Sequence, residues 1–382
     1  MMSLFLLTFF FIYGGTHLYL FLKVKAALSP GIPFSLFLAL FLLLMIITPL
    51  LVRILENQGL EAIARFTAYT GYFWMGFIFL FFSASLAIDI YHGLLHGAGL
   101  FFRRDFSSLF LANRTALILP LALGMVTALY GYFEARDIRT ERIVINTSKV
   151  PAAVGKLTIV QITDVHLGLI IRQERLKRII AVINGASPDL LVSTGDLVDG
   201  QINRMTGLAE LMRDIRPRFG KFAVTGNHEM YAGLDQAVGF TEHAGFKVLR
   251  NEGSTAGGLI NVVGVDDPTI ERVTHQPAPE KALLSKIPSD RFTLLLKHRP
   301  VVDRESLGLF DLQLSGHVHK GQIFPFNLVT HLFYPVRTGF SMVSQDSALY
   351  VSRGTGTWGP PIRFLAPPEV TVIELIHADK GK

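Results

Sequence analysis

The distribution of apolar residues divides the chain into two parts of different character. Residues 1–133 contain four long and nearly continuous apolar segments, at about 2–22, 33–52, 66–88 and 115–133. Each is close to the roughly 20 residues that a helix needs to cross the hydrocarbon core of a bilayer. We therefore predict a transmembrane region of four helices, with both of its ends on the same side of the membrane.

The charges that flank these segments indicate how the chain is inserted. Lys23 and Lys25 follow the first segment, whereas a cleaved signal peptide carries its basic residues in front, so we expect the first helix to be retained. Lys and Arg are otherwise divided evenly between the two sides, which weakens the positive-inside rule. The basic cluster of Arg136, Arg139 and Arg142 favours a cytoplasmic C-terminal part. We expect a multi-pass protein of the cell membrane.

Four titratable residues in or near the apolar segments are candidates for a functional role. His92 and His96 have the spacing of one helical turn, which metal ligands can use, but glycines surround them at the end of the third segment, and we expect an interfacial position instead. His17 lies inside the first predicted span and Asp89 near the end of the third, where polar residues are often functional. We predict no second carboxylate and no basic partner there, and therefore no transport pathway.

The pattern of the second part is that of a soluble α/β domain. We interpret residues 134–155 as a polar connector and residues 156–382 as the domain. Early strands alternate with helices and a strand-rich half follows, which predicts two packed sheets with helices outside, an αββα sandwich. Strands are predicted at 156–163, 189–192, 222–225, 259–265, 292–297, 312–315, 349–352 and 370–375, and helices at 174–184, 208–215, 234–243 and 281–286.

Composition and charge narrow the class of protein. Hydrophobic residues make up 50% of the chain and charged residues only 17%, which is too apolar for one soluble enzyme and indicates membrane attachment. The net charge of +6 is spread without a long basic run, so lipid headgroups or phosphorylated substrates are expected as partners, and nucleic acid is not. The absence of cysteine excludes disulfides, thiolate ligands and a thiol nucleophile.

Candidate chemistry follows the predicted strands. Oxygen and imidazole side chains come directly after five of them, and the carboxyl ends of strands in α/β sheets are where active sites collect. Such side chains suit a pair of hard or borderline metal ions. The candidates are Asp164 and His166, Asp196, Asn227 and His228, His298, and His317 and His319. Any one of these could merely cap a turn, but five such loops in one chain argue for a metal centre.

These motifs closely resemble those of the calcineurin-like metallophosphoesterases. The family pattern is D-x-H, then G-D-x-x-D, G-N-H-[DE], an isolated His, and G-H-x-H. This chain has Asp164-Val165-His166, Gly195-Asp196-Leu197-Val198-Asp199, Gly226-Asn227-His228-Glu229, His298, and Gly316-His317-Val318-His319, in that order. The resemblance implies an αββα sandwich and a phosphoric ester hydrolase that depends on two divalent ions, Mn, Fe or Zn.

The resemblance also implies a role for each residue. A hydroxide held between the two ions would attack the phosphorus of a phosphomonoester or phosphodiester. His228 would donate a proton to the leaving oxygen or stabilise the transition state, and Asp199 would orient a His ligand. The implied ligands are Asp164, His166 and His319 for the first ion, Asp196 as the bridge, and Asn227, His298 and His317 for the second ion.

The C-terminal sequence resembles the membrane-linked branch of the family, through Gly321-Gln322-Ile323 and Ser352-Arg353-Gly354-Thr355-Gly356. Lys320 replaces the Gly usual in that branch, and we expect it to be an exposed loop residue. We assign substrate choice to the loops at 201–207, 231–236 and 266–278.

A predicted connector of about eighteen residues reaches no more than roughly 60 Å, so we expect the site to lie near the headgroups. A phospholipid or a lipid-linked nucleotide is then the expected substrate, with membrane lipids as partners. The alternative is a membrane sensor or scaffold whose phosphoesterase-like domain binds its ligand without turnover.

Overall fold

The chain divides into two compact units. A computed structural model describes residues 2–200, 205, 207–274 and 280–379. One unit comprises residues 1–133 with 359–362, and the other comprises residues 134–358 with 363–382. Parts of two loops to which we assign substrate choice, residues 201–204, 206 and 275–278, lie outside the described residues.

The first unit contains four long helices. Each is long and apolar enough to cross a membrane. The third spans 42 residues, far beyond the segment 66–88 that hydropathy marks, because the helix continues through polar residues on both sides of its apolar middle and no proline interrupts it. The helices are α1 (Met2–Leu28), α2 (Ile32–Asn57), α3 (Glu61–Phe102) and α4 (Asn113–Glu134).

Asp89 of α3 has a basic partner, contrary to our expectation. Lys23 of α1 forms an ion pair with its carboxylate, and the Tyr19 hydroxyl donates to the same carboxylate at 2.6 Å. The apolar pattern predicts an end of the first span at residue 22, whereas α1 continues to Leu28 and carries Lys23 to the level of Asp89. The pair ties α1 to α3.

His17 and His92 of the first unit have structural partners. His17 Nδ1 donates to a carbonyl one turn earlier at 2.7 Å, and its Nε2 accepts from Trp74 Nε1 at 2.9 Å. His92 Nε2 accepts from the backbone N–H of Leu111 at 3.0 Å. Among the described residues, neither His92 nor His96 belongs to a group that could hold a metal ion.

The second unit is built on two six-stranded mixed sheets. The first sheet has the order β1-β12-β2-β3-β4-β5 and the second has the order β10-β11-β9-β8-β7-β6. The strands are β1 (Arg139–Thr147), β2 (Lys156–Ile162), β3 (Leu190–Thr194), β4 (Lys221–Val224), β5 (Lys247–Val248), β6 (Glu252–Ala256), β7 (Ile260–Val265), β8 (Phe292–Lys297), β9 (Leu312–Ser315), β10 (Gly339–Met342), β11 (Ala348–Val351) and β12 (Glu369–His377).

Helices flank the two sheets, and the predicted αββα sandwich is confirmed. α5 is amphipathic, with Leu176, Ile179 and Ile183 buried on one side. The helices are α5 (Gln173–Gly185), α6 (Leu208–Arg213), α7 (Asn227–Ala232), α8 (Leu234–His243), α9 (Pro268–Thr274), α10 (Glu280–Leu284) and α11 (Phe326–Phe333).

The core lies between the sheets. Ile159 and Val192 of the first sheet share one buried cluster with Val262, Leu294 and Leu312 of the second. Branched aliphatic side chains alternate along these strands, so every second residue points into the interface. Truncating one of them to alanine would cost about 2–5 kcal/mol, and this packing holds the strand ends at fixed positions.

The predicted connector contains a strand. β1 pairs in parallel with β12 from Arg139↔Glu369 to Thr147↔His377. Ile143 and Ile145 pack against the core between the sheets. The alternation of Ile143, Ile145 and polar neighbours is therefore the pattern of a half-buried edge strand. Residues 135–138 alone separate α4 from β1.

Candidate metal centre

The ends of five strands from both sheets supply the predicted ligands. β2 is followed by Asp164 and His166, β3 by Asp196, and β4 by Asn227. His298 follows β8 directly, and β9 is followed by His317 and His319. Backbone hydrogen bonds join the loops, since Asp164 N–H donates to Gly195 O and His166 N–H donates to Asp196 O, both at 3.0 Å.

Five of the predicted ligands have left-handed backbone conformations. Their φ angles are 51° for Asp164, 52° for His166, 51° for Asp196, 72° for His317 and 47° for His319. Non-glycine residues rarely adopt this region, and such conformations cluster at functional sites, where the surroundings hold them. The conformation turns each side chain into the space where the strand ends meet.

The first group of candidate ligands consists of Asp164, His166 and His319. His166 Nε2 lies 3.2 Å from His319 Nε2, and His319 Nε2 lies 3.4 Å from Asp164 Oδ1. All three residues are buried. Two ring nitrogens and a carboxylate oxygen that converge in this way form a suitable set of donors for a divalent ion.

The second group consists of Asp196, His298 and His317. His317 Nδ1 lies 3.1 Å from His298 Nε2, which in turn lies 3.2 Å from Asp196 Oδ2. His298 Nδ1 donates to the carbonyl of Thr194 at 2.9 Å. That hydrogen bond fixes the ring so that Nε2 faces the site.

Asp196 lies between the two groups. Its Oδ2 is 3.2 Å from His298 Nε2 and 3.9 Å from His166 Nε2, while its Oδ1 accepts from the backbone N–H of His228 at 2.8 Å. A Cβ at Gly226 would collide with Asp196 Oδ1, so only glycine allows the β4 loop to approach this closely. The position is suited to a bridging carboxylate.

Asn227 carries a buried side-chain oxygen that supports the presence of a cation. Among the described residues, its Oδ1 has no hydrogen-bond partner. An unpaired buried amide oxygen is costly, and Asn227 directly follows Gly226, whose backbone contacts Asp196. A divalent ion at the second group would satisfy this oxygen, so the residues present fit two metal ions.

The buried carboxylates and imidazole rings of the site strongly shift one another's pKa values. Burial would raise the pKa of Asp164 and Asp196, but His319 and His298 beside them hold both pKa values well below the usual range. Burial lowers the pKa of His317 to about 3 and that of His319 to about 4. Both carboxylates are therefore charged and these two rings are neutral near pH 7. Burial would lower the pKa of His298, but Asp196 raises it to about 10, and a bound cation would displace that proton.

His228 and Asp199 lie beside the first group. Asp199 Oδ1 is 2.8 Å from His228 Nδ1 and 3.5 Å from His166 Nδ1, so its nearer neighbour is the predicted proton donor. Burial would lower the pKa of His228, but Asp196 and Asp199 raise it to about 9. Nε2 of a protonated His228 ring would be a proton donor at neutral pH.

Glu229 holds the bridging loop, a role that the motif alone does not assign to it. Its carboxylate accepts the backbone N–H groups of Asp196 at 2.9 Å, Leu197 at 2.8 Å and Gly226 at 2.6 Å. Burial, together with Asp196, raises the pKa of Glu229. Glu229 therefore joins the loops that follow β3 and β4 through hydrogen bonds to their backbones.

A series of hydrogen-bonded polar side chains supports His317. The Tyr334 oxygen lies 3.0 Å from His317 Nε2 and accepts from Arg299 Nη1 at 3.2 Å. Arg299 donates to both carboxylate oxygens of Asp267, at 2.7 and 3.1 Å. These contacts fix the ring of His317 with Nδ1 facing the site.

Arg363 supports His319. It is fully buried, and its Nη1 donates to the carbonyls of His319 at 3.1 Å and Arg353 at 2.6 Å. Its Nη2 lies 2.9 Å from His319 Nδ1. The neighbouring C-terminal motif continues the support, since Gly356 N–H donates to Asp164 O at 2.9 Å.

Aromatic residues lie beside His228. The rings of Tyr231 and Trp358 meet it edge-on, with centroid distances of 5.3 and 5.7 Å, and both are exposed. Gln322 is hydrogen-bonded to the backbone of Trp358 through both of its amide atoms, at 2.9 Å each. Lys320 is exposed, in agreement with the expectation for that position.

Comparisons with known proteins agree with the interpretation of the site as a metal centre. A family model described as calcineurin-like phosphoesterase matches residues 157–321. An uncharacterized metallophosphoesterase of Aquifex aeolicus is 35% identical over 262 residues, which cover 68% of this chain and 98% of that protein. A second, from Helicobacter pylori, is 34% identical over 277 residues, 71% of this chain and 74% of its own length.

A relative from Danio rerio carries the description "transmembrane protein with metallophosphoesterase domain". It is 31% identical over 275 residues, which cover 68% of this chain and 63% of that protein.

Proposed function

Because this chain belongs to the calcineurin-like metallophosphoesterases, we propose that its metal centre hydrolyses a phosphomonoester or phosphodiester carried by the membrane. The unpaired buried oxygen of Asn227, next to two groups of converging His and Asp side chains, is the observation on which the proposal rests. Such donors are compatible with Mn, Fe or Zn. When bound, two divalent ions would neutralise the phosphate oxygens and lower the pKa of water at the site.

The side chains of this chain would hold and orient the substrate phosphate. Asp196 keeps the two groups of ligands together, and the contacts of Glu229 and Tyr334 restrict how far the loops and rings can move. Fixed positions of this kind are worth several kcal/mol of barrier, since little reorganisation is left for the transition state.

We assign to His228 the transfer of a proton to the leaving oxygen. Asp199 holds its Nδ1, so the free Nε2 carries the proton that the leaving group needs. Tyr231 and Trp358 flank the ring and limit the access of water to it. Either aromatic face could also contact the group attached to the phosphate.

The short link to the apolar helices favours a lipid-borne substrate. Only residues 135–138 lie between α4 and β1, and the five Cα–Cα steps from Glu134 to Arg139 reach no more than about 18 Å. This is far shorter than the connector that we predicted from the sequence. A phospholipid or a lipid-linked nucleotide is therefore the substrate class that we propose.

We also propose that the second unit lies on the cytoplasmic side of the membrane. The basic cluster of Arg136, Arg139 and Arg142 supports this orientation, because positive residues near a membrane span are retained in the cytoplasm. Protease access to a C-terminal tag in intact and in permeabilised cells tests it. Cleavage in intact cells would contradict a cytoplasmic location.

The experiment that tests the function compares lipid and soluble phosphoesters. The full chain is reconstituted in liposomes with Mn²⁺, and phosphate or monoester release is followed on lipid phosphoesters and on soluble nucleotides. We expect turnover of at least one lipid phosphoester in preference to the soluble esters. Asp196→Asn, which keeps the side-chain shape but loses the charge that holds two cations close, should abolish turnover and metal binding together.

Two outcomes would contradict the proposal in different ways. Equal turnover of lipid and soluble esters would exclude the lipid preference and leave the hydrolase intact. Two bound metals with no turnover of any ester would instead support the alternative of a sensor or scaffold that binds its ligand.

A further inference from the structure

Helix α11 turns its apolar side away from the protein. At about 100° per residue, Leu328, Val329, Leu332 and Phe333 lie on one side of this helix, and no residue of α11 is fully buried. Leu332 is 81% exposed, Phe333 75% and Leu328 62%. A surface helix of a soluble domain would bury such a stripe, so this orientation requires a partner outside the domain.

Asn327 and Thr330 on the polar side of α11 face the domain, while His331 on the same side is exposed. Asn327 packs against Gly321, where an added Cβ would collide with its backbone, and its Oδ1 is buried. Thr330 is half-buried. The helix is therefore held with its amphipathic pattern inverted relative to an ordinary surface helix.

The helix lies directly beside the metal centre. It starts five residues after Gly321, which ends the turn that carries His319. Tyr334, the residue after its last turn, contacts His317 Nε2 at 3.0 Å. Anything that binds the apolar side of α11 is thus bound next to the second group of ligands.

The surrounding charge favours a lipid surface as the partner. Residues 320–342 include Lys320, His331 and Arg337 but no Asp or Glu, and all three of these residues are exposed. An apolar helix side with basic neighbours is typical of interfacial helices, which bury about 5–10 Å into the headgroup region and are attracted to anionic lipids. The chain also has four helices long and apolar enough to span a bilayer, linked to β1 by residues 135–138.

We propose that α11 inserts its apolar side into the interface of the bilayer that the same chain spans. Insertion to this depth would hold His317 and the neighbouring ligands at the level of the lipid headgroups. The proposal concerns where the helix lies and stands whether the substrate is a lipid or a soluble ester.

The absence of native cysteine allows a direct test by single spin labels. Leu332→Cys is labelled in the full chain and reconstituted in liposomes of phosphatidylcholine and phosphatidylglycerol. His331→Cys, on the polar side of the same helix, is the matched control, and Glu242→Cys on α8 is the distant one. The collision rate of each label is measured with oxygen, which concentrates in the bilayer, and with a water-soluble nickel chelate.

We expect the ratio of oxygen to nickel-chelate collisions to be several-fold higher at Leu332 than at His331 or Glu242. Equal ratios at Leu332 and Glu242 would overturn the proposal. A label at Leu332 that is shielded from both reagents would also overturn it, because that result indicates a protein partner or a second copy of the chain. Phe333→Cys repeats the test at a second exposed position, and an unchanged thermal unfolding midpoint confirms that each labelled variant is folded.

Discussion

At the residue scale, we predict that Tyr334 controls how well His317 binds a metal ion. The oxygen of Tyr334 accepts from Arg299 and lies 3.0 Å from His317 Nε2, so it can hold the ring with a proton on Nε2 and a free electron pair on Nδ1. We expect Tyr334→Phe to lower the affinity for the second metal ion by about 10–100-fold, the usual effect of losing such a partner. The first ion should keep its affinity.

A calorimetric titration of the full chain with Mn²⁺ measures the affinities for both ions. Trp358→Phe is the control, since this aromatic side chain is also near the site but its ring contacts His228. If Tyr334→Phe leaves both affinities unchanged, or weakens the first ion as much as the second, Tyr334 does not position His317.

His228 can be tested as a proton donor through the choice of leaving group. Asp196 and Asp199 raise its pKa to about 9, so the ring is protonated at neutral pH and loses its proton as the pH rises through that value. We expect His228→Gln to reduce turnover of alkyl phosphoesters by roughly 10²–10⁴-fold. The loss should be much smaller for a nitrophenyl ester, whose leaving group needs no proton.

Metal content distinguishes this role from ligation. His228 also lies in a group with His166 and Asp196 that could hold an ion. The Gln variant should retain two metal ions per chain by elemental analysis. A missing ion would make His228 a ligand, and equal losses on both esters would make it a group that stabilises charge.

The candidate ligands could be proposed from the sequence because each directly follows a strand with a strong hydrophobic pattern. Their supporting residues could not. Tyr334 is 17 residues from His317 and Arg363 is 44 residues from His319, so only the tertiary fold brings them together. Glu229 stands within a motif, but its hydrogen bonds to the Asp196 loop depend on the packing of β3 beside β4.

At the element scale, the strands buried on both faces and the amphipathic helices α5 and α8 were predictable, whereas β1 and α11 were not. β8 and β9 consist almost wholly of buried residues, and the structure has both strands at the predicted residues. β1 is half-exposed at the edge of its sheet, and its polar residues resemble those of a linker. α11 has the apolar pattern of a buried helix but lies on the surface, so periodicity alone gives its orientation wrongly.

The edge strand β1 determines where the second unit can be separated from the first. A chain that begins at residue 150 lacks β1 and exposes the full length of β12, and an unpaired edge promotes aggregation. The truncated chain also lacks Glu141, which forms an ion pair with Arg353. We expect residues 134–382 to be monomeric and to melt cooperatively, and residues 150–382 to melt at a lower temperature and to aggregate.

Size-exclusion chromatography and thermal melts of the two truncated chains measure the difference. Ile143→Asp in residues 134–382 tests the same contact without changing the chain length, because Ile143 packs against the core. If residues 134–382, residues 150–382 and the Ile143→Asp variant had equal melting temperatures and equal solubility, β1 would contribute little to the sheet.

At the scale of the whole molecule, every predicted ligand belongs to the second unit, and the apolar helices contribute none. The two tryptophans of the chain divide in the same way, with Trp74 in α3 and Trp358 beside His228. Each unit therefore has its own fluorescent reporter. Trp74→Phe leaves a signal from the second unit, and Trp358→Phe leaves a signal from the helices.

Metal ions should stabilise the second unit and leave the first unchanged. A ligand that binds only the folded state adds RT ln(1 + [L]/Kd), about 2.7 kcal/mol at one hundred times Kd. For a unit of this size that raises the melting temperature by about 5–10 °C. We expect Mn²⁺ to raise the Trp358 transition by this amount and chelation to reverse it, with no shift of the Trp74 transition. Asp196→Asn should remove the shift. A shift of equal size in this variant would mean that the cation acts at a site other than the one built from the strand ends.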